Sequence, residues 1–290
     1  MRVTTRHMYE DVLRNVQNRL SDMDRAQQQT GTGRRNAKIS DDPLAGAQVL
    51  RSDRTLRAIV QYRRGVTAVR SRLDTAEAAL GQVTDILSRA KELATGQSGS
   101  NANAATRSVT AIEVDSLLKQ AIAMGNSRVG SEFVFGGTIT DVPPFQANGT
   151  YTGTAASRQV EIGAGQVIDI APSGQALFVN SGVITALTNL RDRLLADDAA
   201  GVTASIVGLD SAVDQVQSSL AGVGADVRRL DATMVDLDAL DDTMLKARSD
   251  AADIPLEEAA MHLAAVQAAL QAAVLSGSKL LDSNLLQYYR

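Results

Sequence analysis

The 290-residue sequence predicts a mainly α protein, an elongated rod of long heptad-patterned helices with a small antiparallel β insertion and an amphipathic helix at each end. Three observations predict it. Apolar residues recur with a 3.5-residue period over two very long stretches. That period stops at Ser131 and resumes near residue 183. Aromatic residues make up only 3% of the chain, and all four Phe (Phe133, Phe135, Phe145, Phe178) fall inside that interruption. Ala, Leu and Val pack narrow rods without rings, so the ring-poor lengths read as helices lying side by side.

The elements follow in order. Tyr9, Val12, Val16, Leu20 and Met23 form an apolar stripe on an N-terminal helix of about 25 residues. Gly31-Thr32-Gly33-Arg34-Arg35-Asn36 reads as a flexible joint. Ser40-Asp41-Asp42-Pro43 then marks a helix start: Ser or Asp can cap the free N–H groups, and Pro suits the first helical position. From there Ile59, Tyr62, Val66, Val69, Leu73, Ala76, Leu80, Val83, Leu87, Ala90 and Ala94 keep the heptad. A helix over about 43–95 is about 80 Å long at 1.5 Å per residue. A third helix is expected over 104–129, with Thr110, Val114, Leu117, Ala121 and Met124 on one face.

The β element reads as a strand at Glu132–Gly137, followed by short runs at 142–145, 151–153, 158–162 and 167–170. A helix is expected over about 183–196. The second long helix, about 202–251, carries the strongest seam: Ile206, Leu209, Val213, Val216, Leu220, Val223, Val227, Leu230, Met234 and Leu237, broken only at Asp241. Pro255 opens a C-terminal helix with a stripe of Leu256, Ala259, Leu263, Val266, Leu270, Ala273 and Leu280. The order is nested, so the expected domains are 1–39 with 254–290 (terminal assembly helices and joint), 40–130 with 183–253 (long-helix rod), and 131–182 (β element).

Composition excludes several functions. With no Cys there is no disulfide framework, no Cys-ligated zinc and no thiol nucleophile. No uninterrupted apolar run reaches about 18 residues, so membrane insertion is not expected. Met1-Arg2-Val3-Thr4-Thr5-Arg6 leads into no apolar stretch, so no cleaved secretory signal is expected either. The net charge of −4 hides an asymmetry: residues 1–72 hold 15 Lys/Arg against 7 Asp/Glu, and residues 197–258 hold 4 against 14. The basic third suggests a coiled-coil nucleic-acid or signalling module as one alternative. Because its charges are interspersed at helical spacing, basic and acidic segments facing each other, within a chain or between copies, is the favoured reading.

Catalytic signals are poor. The two histidines, His7 and His262, sit on the terminal helices, and no Ser-His-acid set suggests itself. Glu258 and His262 lie four apart but have no third ligand. Asp236–Asp242 lacks the Gly turn and terminal Glu of a calcium loop. The Gly31–Asn36 joint lacks phosphate-loop spacing and follows a helix rather than a strand. The chain reads as a non-enzyme with no cofactor and no metal.

Several motifs resemble a known family. The N-terminal helix, the Gly31–Asn36 joint and Ile39-Ser40-Asp41-Asp42-Pro43-Leu44-Ala45 resemble the N-terminal region of bacterial flagellins, as do Ser88–Ala94 and, at the other end, Asp253–Ala259 through Gln271-Ala272-Ala273. Gly130-Ser131-Glu132-Phe133-Val134-Phe135-Gly136-Gly137-Thr138, with Pro144-Phe145 and Tyr151-Thr152-Gly153, is similar to the hook-filament junction (FlgL) family of hook-associated proteins within the flagellin superfamily. The tail from Leu280 to Tyr289 lacks the Gln-Ala-Asn run of flagellin ends.

The resemblance implies a flagellin-like structural adaptor of the bacterial flagellum, outside the cell. Its partners would be the first hook-associated protein, flagellin, copies of itself, a cytoplasmic export chaperone and the type III export apparatus. Tyr9, Val12, Val16, Leu20, Met23, Leu256, Leu263, Val266, Leu270, Leu280 and Leu281 would pack the assembly. Gly31, Gly33, Ser40, Asp41, Asp42 and Pro43 would form the joint and helix start. Phe133, Phe135, Gly136, Gly137, Phe145 and Tyr151 would build a β element that protrudes or meets a neighbour. A flagellin filament subunit is the alternative within the superfamily. Arg89 and Leu93 match flagellin positions contacted by an innate immune receptor; as residues they read as an exposed Arg and a packed Leu.

Overall fold

A computed structural model describes residues 2–36, 38, 40–99, 102–170 and 173–288, and the side chains among them except those of 2–6, 8 and 280–288. Six α-helices dominate: α1 (Arg2–Thr32), α2 (Pro43–Ser98), α3 (Ala104–Gly125), α4 (Val183–Leu195), α5 (Ala199–Ala252) and α6 (Leu256–Tyr288). Four short strands, β1 (Arg128–Val129), β2 (Glu132–Phe133), β3 (Gln159–Gly163) and β4 (Gln166–Asp169), form two separate antiparallel pairs, β1 with β2 and β3 with β4. A π-helical turn covers Gln175–Asn180. The fold is mainly α with a small β insertion, as the periodicity predicts.

Two compact units result: residues 59–238, and residues 1–58 with 239–290. Each takes part of both long helices.

In the unit 59–238 the heptads become the core. Every residue of the α2 seam from Ile59 to Ala94 is buried except Tyr62. On α5, Leu209, Val216, Val223, Leu230 and Leu237 are buried at seven-residue intervals. The alternating set Ile206, Val213, Leu220, Val227 and Met234 is partly buried against them. Ion pairs join the two helices at Arg63–Asp238 (2.6 Å), Arg70–Asp231 and Lys91–Asp210 (2.5 Å), so basic α2 faces acidic α5 within one chain.

Helix ends carry their own signals. Asp198 Oδ1 accepts from Gly201 N (2.8 Å) at the start of α5, and Asn103 forms a reciprocal capping box with Thr106 at the start of α3. The accepted backbone N–H, then the Arg193 side chain, hold the Asp198 carboxyl below its ordinary pKa. Helix α3 stops at Gly125, short of the expected 129, because residues 126–129 turn into β1. There the Asn126 side chain takes both backbone bonds of Phe145 (2.9 Å each).

The β element differs most from expectation. Only Glu132–Phe133 of the expected 132–137 strand is a strand. Residues 134–137 are buried irregular chain, and 142–145 contributes only a single bridge, Phe145 to Tyr151. The insertion does not stand clear of the helices. Phe135 and Phe178 are fully buried and meet edge-on at 5.1 Å, with the Phe145 ring tilted against Phe178 at 5.3 Å. Val160 of β3 lies so close to Gly65 of α2 that a Cβ there would sit 2.9 Å from it. Phe135, Phe145 and Phe178 form the core of the insertion, which the protruding arrangement left out, while Phe133 is buried beside Arg128.

Candidate assembly interface

In the unit 1–58 with 239–290, α1 and α6 run antiparallel: Val12 lies against Gly277, and Gln29 and Thr30 lie against His262 and Ala259. Small residues occupy the contact. Ala26 and Ala259 are completely buried. A Cβ on Gly277 would lie 2.7 Å from Val12 Cγ1. The predicted stripes contribute the half-buried Val12, Val16, Met23, Leu263, Val266 and Leu270. Ala26 and Gly277 went unrecognised in the sequence because apolar stripes are found by large side chains, and a close crossing is made by small ones.

Large apolar side chains also stand open on this pair, on α1 among charged and amide residues. Tyr9 (53% exposed), Leu20 (47%) and Leu256 (68%) face outward, as do Leu13, Met261, Val274 and Leu275. Leu280 and Leu281 lie outside the described side chains. Among the described residues, the segment Leu256–Lys279 is long and apolar enough to cross a membrane, with mean hydropathy 1.4 and only 6% of it buried. Counting uninterrupted apolar runs missed it, because its many alanines raise the average between isolated polar residues. Removing apolar surface from water gains about 25 cal/mol per Å².

The joint is more ordered than its glycines suggest. Gly33, at φ +67°, turns the chain out of α1. Arg34 then forms an antiparallel bridge with Asp253, through Arg35 N to Ala252 O (2.8 Å) and Ile254 N to Gly33 O (2.9 Å). The Gln29 side chain donates to Arg35 O at 2.7 Å. The flexible joint of the sequence reading is therefore corrected: backbone pairing ties it to the turn between α5 and α6. Gly31 lies in the last turn of α1.

Of the candidate caps, Asp42 acts: its Oδ1 accepts from Leu44 N (3.1 Å) and Ala45 N (3.0 Å), with Pro43 first in the helix. Asp41 closes the preceding turn by accepting from Lys38 N (3.2 Å), and Ser40 is exposed. Beside the joint a cleft of about 380 Å³ mixes charges, with Arg34, Lys38 and Arg248 near Asp42, Asp53 and Asp253. His262 Nδ1 meets Gln29 Oε1 at 3.2 Å.

In the other unit, the Phe–Gly–Gly block is held by the backbone. A Cβ on Gly136 would lie 1.9 Å from Ile139 O, and one on Gly137 (φ +70°) 2.2 Å from Thr154 O. Tyr151 Oη donates toward Phe135 O (3.0 Å) and Thr154 O (2.9 Å). Phe133 carries the Arg128 guanidinium over its ring at 4.4 Å. Glu132 binds two cations, the buried Arg72 and Arg158 (3.1 Å); burial, then the charge of Arg158, lowers the Arg72 pKa. Burial, then Glu161, raises that of Tyr62. Arg89 is exposed and pairs with Glu113 (2.9 Å) and Glu92 (3.0 Å), while Leu93 packs on the core.

Comparison with known proteins finds flagellar relatives. The flagellin N-terminal helical region matches residues 3–138. Flagellar hook-associated protein 3 of Escherichia coli is 26% identical over 230 residues, 78% of this chain and 70% of that protein. The chain is thus similar to hook-associated protein 3 over most of its length and to the flagellin N-terminal helical region over just under half of it. Its fold agrees with solved structures: the Bacillus cereus FlgL crystal structure superposes with a TM-score of 0.61 at 19% identity, over 68% of this chain and 98% of that one. The flagellar junction protein FlgL from Legionella pneumophila superposes with 0.59 at 13% identity, over 71% of this chain and all of that one. These FlgL relatives are structural components of the bacterial flagellum.

Proposed function

We propose that this chain is the structural adaptor that joins the flagellar hook to the flagellin filament. Copies form a ring between the first hook-associated protein and the first flagellin layer. The chain reaches that position unfolded through the type III export apparatus, without a cleaved signal peptide, held in the cytoplasm by a chaperone. It works by packing and carries out no catalysis. The observation that carries this reading is the match to hook-associated protein 3 over 78% of the chain.

The physical surface supports it. An antiparallel helix pair sealed along its contact by Ala26, Ala259 and Gly277, with large apolar side chains left open outside it, gains further burial when copies assemble. Tyr9, Leu20, Leu256 and the outward residues of α6 are the contacts in that assembly, and α6 meets neighbouring helices rather than a bilayer. Deleting the gene in its own bacterium tests the role. Hooks without filaments, with flagellin released into the medium, is the expected result. Hooks with no released flagellin would indicate the filament subunit instead, and normal filaments would overturn the proposal.

A further inference from the structure

Charge pairing between α2 and α5 leaves two sets of groups unused. On α2, Arg54, Arg57 and Arg64 fall within an arc of roughly 80°. All three are exposed and have no ion-pair partner among the described residues, whereas Arg63 and Arg70 are committed to Asp238 and Asp231. On the second surface, a cleft of about 240 Å³ lies where α5 meets β4 and the π-helical turn. Its lining includes the buried side chains of Leu73, Leu177 and Val223, together with two carboxylates, Asp169 and Asp226.

Neither carboxylate meets a cation among the described residues; Asp169 only accepts from Gln159 Nε2 at 3.3 Å. The nearby Arg229 donates instead to Val167 O at 3.4 Å. Gly222, in the same lining, sits in a helix interior where glycine is unfavourable, yet a Cβ there would meet nothing within 4 Å. Packing within the chain does not require that glycine.

We propose that this cleft receives an arginine from the α2 stripe of a second copy of the chain. An arginine suits both halves of the lining: its stem lies on Leu73, Leu177 and Val223 while its guanidinium reaches Asp169 and Asp226. Because the two surfaces differ, the contact is heterologous and repeats from copy to copy. The inference rests on the proposed assembly of copies at the junction.

Cross-linking in isolated flagella tests it. The chain has no cysteine, so Gly222→Cys with Gln61→Cys adds the only two thiols and retains all charges. Within one chain these positions are out of reach of a short bis-maleimide. The α2–α5 ion pairs place Gly222 opposite residues near 79, roughly 27 Å along α2 from Gln61. The expected result is adducts of two or more chains, absent from either single variant. Their yield should fall about five-fold or more when Asp169 and Asp226 are both changed to Asn, as suits partly exposed charge pairs. Flagella that contain the chain but give no adducts, or adducts indifferent to the Asn changes, would overturn the inference while leaving the junction role intact. A chain absent from the flagella would overturn both.

Discussion

The two helix pairs solve opposite problems. Between residues 59 and 238, α2 and α5 bury a heptad seam of large side chains and join charge to charge. In the other unit, α1 and α6 fully bury alanines and a glycine, half-bury part of their apolar stripes and leave Tyr9, Leu20 and Leu256 among the large side chains outside. The first arrangement supplies its own stability. The second is a close contact along both helices that still leaves large apolar side chains open, and under the proposed function those gain their burial when copies assemble.

Substitutions should divide along the same line. Phe178→Ala removes a fully buried ring packed edge-on against Phe135 and tilted against Phe145, and is expected to cost about 3–5 kcal/mol in urea unfolding. Leu20→Ala, by contrast, should shift the free chain by less than about 0.5 kcal/mol and still reduce filament attachment. A Leu20→Ala chain that lost stability on the scale of Phe178→Ala would break the comparison.

Glu132→Gln comes next. It strands the buried Arg72 beside Arg158, and a loss of about 2–3 kcal/mol in the same measurement is expected. Gly277→Leu sharpens the other side. Its side chain must displace Val12, so α1 and α6 should part at a cost of about 1–3 kcal/mol, read as faster proteolysis of α1 with the other unit unchanged.

Much of this fold was legible because helices announce themselves by period. The seams from Ile59 to Ala94 and from Leu209 to Leu237 were read directly: the first is buried at every position but Tyr62, and the second alternates buried with partly buried positions. The β insertion was placed correctly and drawn wrongly. Its glycines mark backbone contacts rather than strand ends, as Gly136 against Ile139 and Gly137 against Thr154 demonstrate, and sequence does not reveal what a missing Cβ avoids. The joint was misjudged for a related reason: its order comes from pairing with residues 252–254, more than two hundred positions away.

The smallest expected effects concern helix ends and pH. Asp42→Ala removes the cap of α2 and should cost about 1 kcal/mol. The Asp115 carboxyl is held below its ordinary pKa, first by Lys119 and then by Arg191. Its folded pKa is depressed, so its contribution is fully present above the unfolded value near 3.8 and is lost as pH falls through the lower folded value. Asp115→Asn should therefore narrow the stability difference between neutral and acid pH, measured by thermal melts across that range.

The central claim, that one unit carries its own stability and the other acquires it on assembly, is tested most directly by hydrogen exchange on the free chain and on isolated flagella. In the free chain, amides of α2 and α5 between residues 59 and 238 should exchange at the rate of global unfolding, and those of α1 and α6 far faster. In flagella, α1 and α6 should become as slow as the core. Terminal helices already protected to the level of the core in the free chain, or unchanged on assembly, would contradict the account.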